Sequence, residues 1–150
     1  MFPIVQMLIF VQISIYNMKY TVDKRDSYTI LTLQEPKLNS LVSPELKTEL
    51  ILMSNEGMRN IILDLANVEF VDSSGLSAIL VGHRICTNQD GLLTICNLND
   101  SVERLIKISQ LDNVLNIISS VQEATDFTMM HELQLEMKKG GEAKSDSDPE

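Results

Sequence analysis

Few residues in this chain have the chemistry to act. Asp72-Ser73-Ser74-Gly75 sets a carboxylate beside two hydroxyls, His83 and His131 are the only histidines, and Cys86 and Cys96 are the only cysteines. A serine nucleophile needs a base within hydrogen-bonding reach, and in the nucleophile elbow of hydrolases it stands in Gly-x-Ser-x-Gly; here Phe70 and Val71 precede the serine pair. If Ser74 and His83 share a helix, their separation of nine positions amounts to roughly 900° of rotation and about 13 Å of rise, which points them to opposite faces. His131 falls in a separate, terminal helix. Phosphate-loop and dinucleotide glycine patterns are absent, with six glycines in the whole chain. The cysteines have neither CxxC spacing nor histidines placed as ligands, so they read as small core residues of a reduced cytoplasmic protein and not as a disulfide or a metal site. No enzyme, cofactor or metal is expected.

What remains for the serine pair is its position. Ile61, Ile62, Leu63 and Leu65 form an aliphatic run of the kind found in a strand buried on both faces, with Asp64 near its end. Val68, Phe70 and Val71 carry the chain to Asp72, after which Leu76, Ile79 and Leu80 recur at helical spacing. Ser73 or Ser74 stands where an N-cap belongs. The elbow therefore presents an aspartate and two hydroxyls at the positive end of a helix, and ordinary capping accounts for that much by itself.

The other elements follow from the same signals. Tyr20 to Lys24 and Tyr28 to Leu33 read as a hairpin around Arg25-Asp26-Ser27. Glu35-Pro36-Lys37-Leu38-Asn39 breaks the second arm. Ser43, with Pro44 at the first helical position, starts a helix whose Leu46, Leu50 and Met53 face the core and which Glu56-Gly57 closes. Past the central helix, Asn88-Gln89-Asp90-Gly91 turns into a strand from Leu92 to Leu98. Asn99, Asp100 or Ser101 caps a helix with Val102, Leu105, Ile106 and Ile108 on its apolar face. Val114 to Ile118 is a last short strand, and Glu123 to Met137 a terminal helix with Ala124, Phe127, Met130 and Leu133 facing inward. Met129, Met130 and Met137 either fill core gaps or mark an adaptable binding surface. Strands alternating with helices predict an α/β domain with parallel pairing and an antiparallel edge from the opening hairpin.

Taken together, the Ile-Leu-Asp-Leu strand, the Val-Asp-Ser-Ser-Gly-Leu elbow and the apolar helix after it resemble the STAS domain of bacterial anti-sigma factor antagonists. The likeness continues through Gly91 to Leu98, Ser101 to Ser109 and the run from Leu111 to Ile118, and covers about Met18 to Leu135. It implies a mixed four- to five-stranded sheet with about four helices packed mainly on one face. In function it implies a phosphorylation-controlled interaction module. The hydroxyl directly after the aspartate, Ser73 here, would be phosphorylated by an anti-sigma factor with a histidine-kinase-like ATP-binding fold. The unmodified domain would bind that partner through Asp72, Ser74, Gly75, Leu76 and Asn39 and so free a sigma factor, and a serine phosphatase would reset it. A STAS protein can also be a non-phosphorylated scaffold or a subunit of a lipid or anion transport system. Two positions depart from the family pattern: Pro36-Lys37-Leu38-Asn39 replaces Gly-Glu-x-Asp, so Asn39 stands for an acidic residue, and Ser77 stands where glycine is common.

The 150 residues, 44% hydrophobic, suit one domain with one core. With 21 acidic and 12 basic residues the net charge is -9, the wrong sign for a nucleic-acid footprint. Met1 to Asn17 is uncharged and mostly apolar, but Pro3, Gln6, Gln12 and Ser14 interrupt it and it is shorter than the ~20 residues of a membrane span. It also lacks the charged start and cleavage site of a secretory signal. It reads as an upstream extension ahead of a natural start at Met18, with a weak membrane-associating segment or an extra edge strand as alternatives. After Lys138 the Gly, Lys, Glu, Ser, Asp and Pro composition predicts a mobile polar tail, which leaves residues 18–137 as the domain.

Overall fold

The computed structural model describes residues 17–146. Residues 1–16, all of the expected upstream extension but Asn17, lie outside them, as do residues 147–150. In chain order the elements are β1 (Tyr20–Lys24), β2 (Thr29–Leu33), β3 (Lys37–Leu38), α1 (Ser43–Asn55), β4 (Ile61–Asp64), β5 (Phe70–Val71), α2 (Ser73–Thr87), β6 (Leu93–Cys96), α3 (Asp100–Ile108), β7 (Asn116–Ile118) and α4 (Val121–Asp146).

The sheet is mixed and five-stranded, in the order β1-β2-β4-β6-β7. The opening hairpin pairs antiparallel, and every later pairing is parallel, with Ile30 beside Ile62, Ile62 beside Thr94 and Thr94 beside Asn116. Alternation along these strands divides the core. Leu31, Leu33, Ile61, Leu63, Leu93 and Ile95 join Leu46 and Leu50 of α1, Ile79 of α2 and Ile106 of α3 in the larger cluster. On the opposite face Ile62 and Cys96 meet Ala124 of α4. Three helices thus cover one face and α4 the other. The central strand is shut off from water on both, and each of its large aliphatic side chains contributes about 1.5–3 kcal/mol of burial.

α1 and α2 lie against each other because Gly82 allows it: a Cβ there would stand 2.8 Å from a Leu50 methyl. Both cysteines are free and buried, and burial pushes both thiols up to about 12, with Asp64 adding to the effect at Cys96. No helix among the described residues is long and apolar enough to cross a membrane.

In its small sheet and its last helix the structure departs from the sequence reading. β3 and β5 form a second, two-stranded parallel pair, whose members are too short for periodicity to reveal. α4 runs on through Asp146, beyond the expected end at Met137 and into the segment read as a mobile tail, carried by helix formers such as Leu135, Glu136, Lys138 and Lys139. Of the four residues expected to face inward from α4, only Ala124 does; Phe127, Met130 and Leu133 are exposed. The buried positions are Ala124 and Thr128, one turn apart and small, which bring the helix axis close to β4 and β6.

Candidate functional site

The elbow is assembled from the start of α2, the two-stranded pair and the loop before α1. Asp72 is the N-cap: with extended backbone, its carboxylate accepts the Gly75 N–H at 3.0 Å and the Ser74 hydroxyl at 2.6 Å. The cap is therefore the aspartate, and neither of the two serines that sequence spacing offered. These bonds, Ser74's hydroxyl first and Gly75's N–H second, hold the Asp72 carboxyl below its ordinary range and keep it anionic at neutral pH.

Ser74 is tied down on its other side as well. Its Oγ lies 3.1 Å from Ser43 Oγ, and Ser43 in turn donates to the Asn39 carbonyl at 2.7 Å. Asn39 closes its own loop, its side-chain oxygen accepting the Leu41 N–H at 3.1 Å and its carbonyl the N–H groups of Val42 and Ser43. Ser43, expected to start α1, spends its hydroxyl on this loop, and the N-cap position falls on Val42 without a side-chain bond.

Gly75 and Leu76, expected at a partner surface, are buried. A Cβ on Gly75 would stand 2.5 Å from the Leu38 carbonyl oxygen and 2.8 Å from Val71 Cγ1, so the glycine lets α2 dock on the β3–β5 pair. Both residues hold the elbow in shape from beneath. Asp72 and Asn39 are half-buried, and Ser74 is engaged within the network. Ser73 is different: it is exposed, at the first position of α2, and its hydroxyl makes no hydrogen bond among the described residues.

Beside the elbow lies an apolar groove of about 230 Å³ between β5 and α3, lined by Phe70, Val71, Val102, Leu105, Ile108 and Arg104 among others. Phe70 and Ile108 are 51% and 72% exposed. Exposed Phe70 could have been suspected from sequence because it directly precedes a buried valine and the capping aspartate; Ile108 read as a core position. Among the described residues neither histidine is bonded to Ser73 or Ser74. His131 pairs with the Asp90 carbonyl at 3.1 Å.

Comparison with known proteins agrees with this geometry. Residues 19–124 match the STAS domain. BtrV of Bordetella bronchiseptica, assigned by name to the anti-sigma factor antagonists, is 30% identical over 107 residues, which span 71% of this chain and 91% of BtrV. An anti-sigma factor antagonist from Mycobacterium paratuberculosis superposes with a TM-score of 0.67 at 16% identity, over 75% of this chain and 95% of that one. The Bacillus cell fate determinant SpoIIAA in its phosphorylated form superposes with a TM-score of 0.57 at 17% identity, over 72% and 97%.

Proposed function

Because the chain belongs to the STAS domain family, we propose that it is an anti-sigma factor antagonist: unmodified, it binds an anti-sigma factor and frees a sigma factor, and phosphorylation of Ser73 ends that binding. The observation that carries this reading is the contrast between the two serines. Ser74 is spent on Asp72 and lies against Ser43, whereas Ser73 is exposed and has no hydrogen-bond partner among the described residues on a rigid helix start, open to a kinase. Relatives point the same way, since BtrV and the mycobacterial protein are named as antagonists and SpoIIAA has a phosphorylated form.

The switch works by charge. A phosphate on Ser73 adds about -1.5 to -2 charges next to Asp72, whose carboxylate already occupies the Gly75 N–H and has a lowered pKa. The helix N-terminus is thus partly neutralised by its own cap, and the new dianion meets a like charge. A partner seated over the elbow, with an apolar side chain against Phe70 in the adjoining groove, would have to desolvate that pair of anions. Such a mismatch costs several kcal/mol, and each ~1.4 kcal/mol is tenfold in affinity. The fold itself is left intact, because the Ser73 hydroxyl holds none of the described residues in place.

The partner is an anti-sigma factor with a histidine-kinase-like ATP-binding fold acting in the cytoplasm, and a serine phosphatase resets the switch. Asn39, in place of an acidic residue, binds its own loop and leaves Asp72 as the carboxylate of the elbow. The test is phosphosite mapping with the cognate kinase and ATP, combined with titration of the partner against Ser73→Ala and Ser73→Asp. Label on Ser73, tight binding by the alanine variant and weak binding by the aspartate variant are expected. Label elsewhere, or equal affinities, would remove the switch and leave a non-phosphorylated STAS scaffold or transport subunit.

A further inference from the structure

At the opposite end of β4 from the elbow lies a polar cavity of about 210 Å³, closed by the hairpin turn, the cap of α1 at Glu56 and Gly57, and Glu132 of α4. Asn60 and Glu132 line it with their hydrogen bonds already made. The hydroxyls of its wall are another matter. Ser27, Tyr28 and Thr29 follow one another there, and none of their hydroxyls has a hydrogen-bond partner among the described residues. Thr29 is 2% exposed. A hydroxyl buried that far gives up its solvation and is costly to leave unpaired, so water or a ligand in the cavity must satisfy it.

Charge selects the kind of ligand. The two arginines of the cavity are engaged, Arg59 with Glu132 at 2.5 Å and Arg25 with Asp23 at 3.0 Å. Glu56 pairs with Lys24 at 3.4 Å, and Asp26, the remaining carboxylate of the lining, is exposed at the rim. An anion would have to displace a carboxylate from an arginine, and a cation would find only Asp26 outside an ion pair among the described residues. Neutral hydroxyl groups displace nothing. Glu56 bonds Lys24 through Oε2 and keeps Oε1 as an acceptor, Arg59 bonds Glu132 through Nη2 and keeps its other N–H donors, and the Thr29 hydroxyl works in both senses. At roughly 30 Å³ per water the cavity has room for about seven waters, enough for a six-membered ring with its hydroxyls and too little for a nucleotide.

We infer that this cavity binds a small neutral polyol, of the size of a hexose or a cyclitol, through the Thr29 hydroxyl, the open donors of Arg59 and the open oxygen of Glu56. Tyr28 and Met58 supply the apolar part of the lining, against which the C–H face of such a ring packs. The bound ligand bridges the hairpin turn and the end of α1, and it asks nothing of the elbow, so the inference stands apart from the role of Ser73.

Titration of the isotope-labelled full chain with myo-inositol and with glucose, followed by amide chemical shifts, tests this. Saturable shifts centred on Ser27 to Thr29 and Glu56 to Asn60 are expected with at least one of the two, at a dissociation constant on the order of a millimolar. Gluconate, of similar size but anionic, should bind about tenfold more weakly or not at all. Thr29→Val keeps the shape and removes the hydroxyl, which should weaken binding about fivefold or more. Glu56→Ala should weaken it as well, and because that side chain is 58% exposed the variant keeps the test open if the valine variant does not fold. No saturable shift with either polyol up to high millimolar concentration would overturn the inference and leave the cavity to water. Gluconate binding as well as the polyols do, or a dissociation constant that neither variant moves, would overturn it equally.

Discussion

Polar clusters built around a carboxylate stand at both ends of the central strand, and they differ in what each leaves over. At the N-terminal end, Asn60 is buried and fully engaged: its amide donates to the Ser27 carbonyl at 2.9 Å and to Glu132, and its side-chain oxygen accepts the Leu92 N–H at 2.9 Å. Glu132 is also held by Arg59. Beyond the C-terminal end, Asp72, Ser74, Ser43 and Asn39 form an equally connected set, but next to it Ser73 retains an exposed hydroxyl with no partner among the described residues. A saturated cluster fixes architecture, here by clasping α4 to the start of β2 and β4. One group left open on an otherwise rigid cluster is what a regulatory site needs, because changing it alters a surface without releasing the fold.

The same glycine substitution at each end should separate the two regions most strongly. At the clasp, a Cβ on Gly91 would stand 1.9 Å from the Arg59 carbonyl oxygen, and the next nearest atom is backbone too. Gly91→Ala is therefore expected to lower stability by about 3 kcal/mol or more. Gly75→Ala at the elbow meets the Leu38 carbonyl oxygen at 2.5 Å but otherwise side-chain carbons, which can give, so about 2 kcal/mol is expected. Urea midpoints of the two variants measure the difference, and a larger loss at Gly75 would invert the comparison.

Next in size is Asn60→Ala. It leaves the Leu92 N–H and the Ser27 carbonyl without their partner and removes one of the two donors to Glu132, for an expected cost of about 2–3 kcal/mol. Replacing the buried amide should also loosen α4, visible as faster hydrogen exchange in Ala124 to Glu132. Unchanged exchange there would mean that apolar contacts alone hold the helix.

This contrast also explains what could be read in the sequence. The buried strand, the Asp-Ser-Ser-Gly elbow and the capped helices are local patterns, each decided by residues within about ten positions of one another, and the order of strands and helices followed from them. The clasp is not local, since Asn60 and Glu132 are 72 residues apart and each by itself reads as a polar residue beside an apolar run. Its consequence is the misplaced face of α4. Phe127, Met130 and Leu133 have helical spacing that fits a core stripe as well as an exposed one. The choice was made by small residues at Ala124 and Thr128 and by the carboxylate at Glu132, which only the tertiary partners on β4 and β6 give meaning.

Acid should dismantle the clasp by a measurable route. Burial opposes ionisation of Glu132, but the hydrogen bonds from Asn60 and Arg59 and the charge of Arg59 outweigh it, so its pKa lies below the ordinary value of 4.5. A carboxyl with a lowered folded-state pKa adds stability above its unfolded pKa and loses it as pH falls through the folded one. Stability due to Glu132 should thus be complete at pH 7, begin to fall near pH 4.5 and continue to fall below it. Glu132→Gln should be less stable than the parent at neutral pH, with the gap narrowing as acid is added. A gap independent of pH would show that the glutamate acts by shape and not by charge.

The smallest effect on stability is expected from the residue with the largest expected effect on function. Ser74→Ala removes a donor from the capping carboxylate and leaves Ser43 without its neighbour, which should cost about 1 kcal/mol, the usual size of a lost cap interaction. Ser73→Ala removes a hydroxyl that is exposed and bonded to nothing described, and alanine is at least as good a helix former, so the change should stay within about 0.5 kcal/mol of zero. The two variants differ by one position and the same single atom, so side-by-side urea titrations compare them directly. If Ser73→Ala proved the more damaging, Ser73 would belong to the structural network, and phosphorylating it would act by unfolding the elbow. The expected order, with Ser74 structural and Ser73 silent, is what a switch requires: a hydroxyl whose loss the fold does not register, at a place where two added negative charges cannot be ignored by a partner.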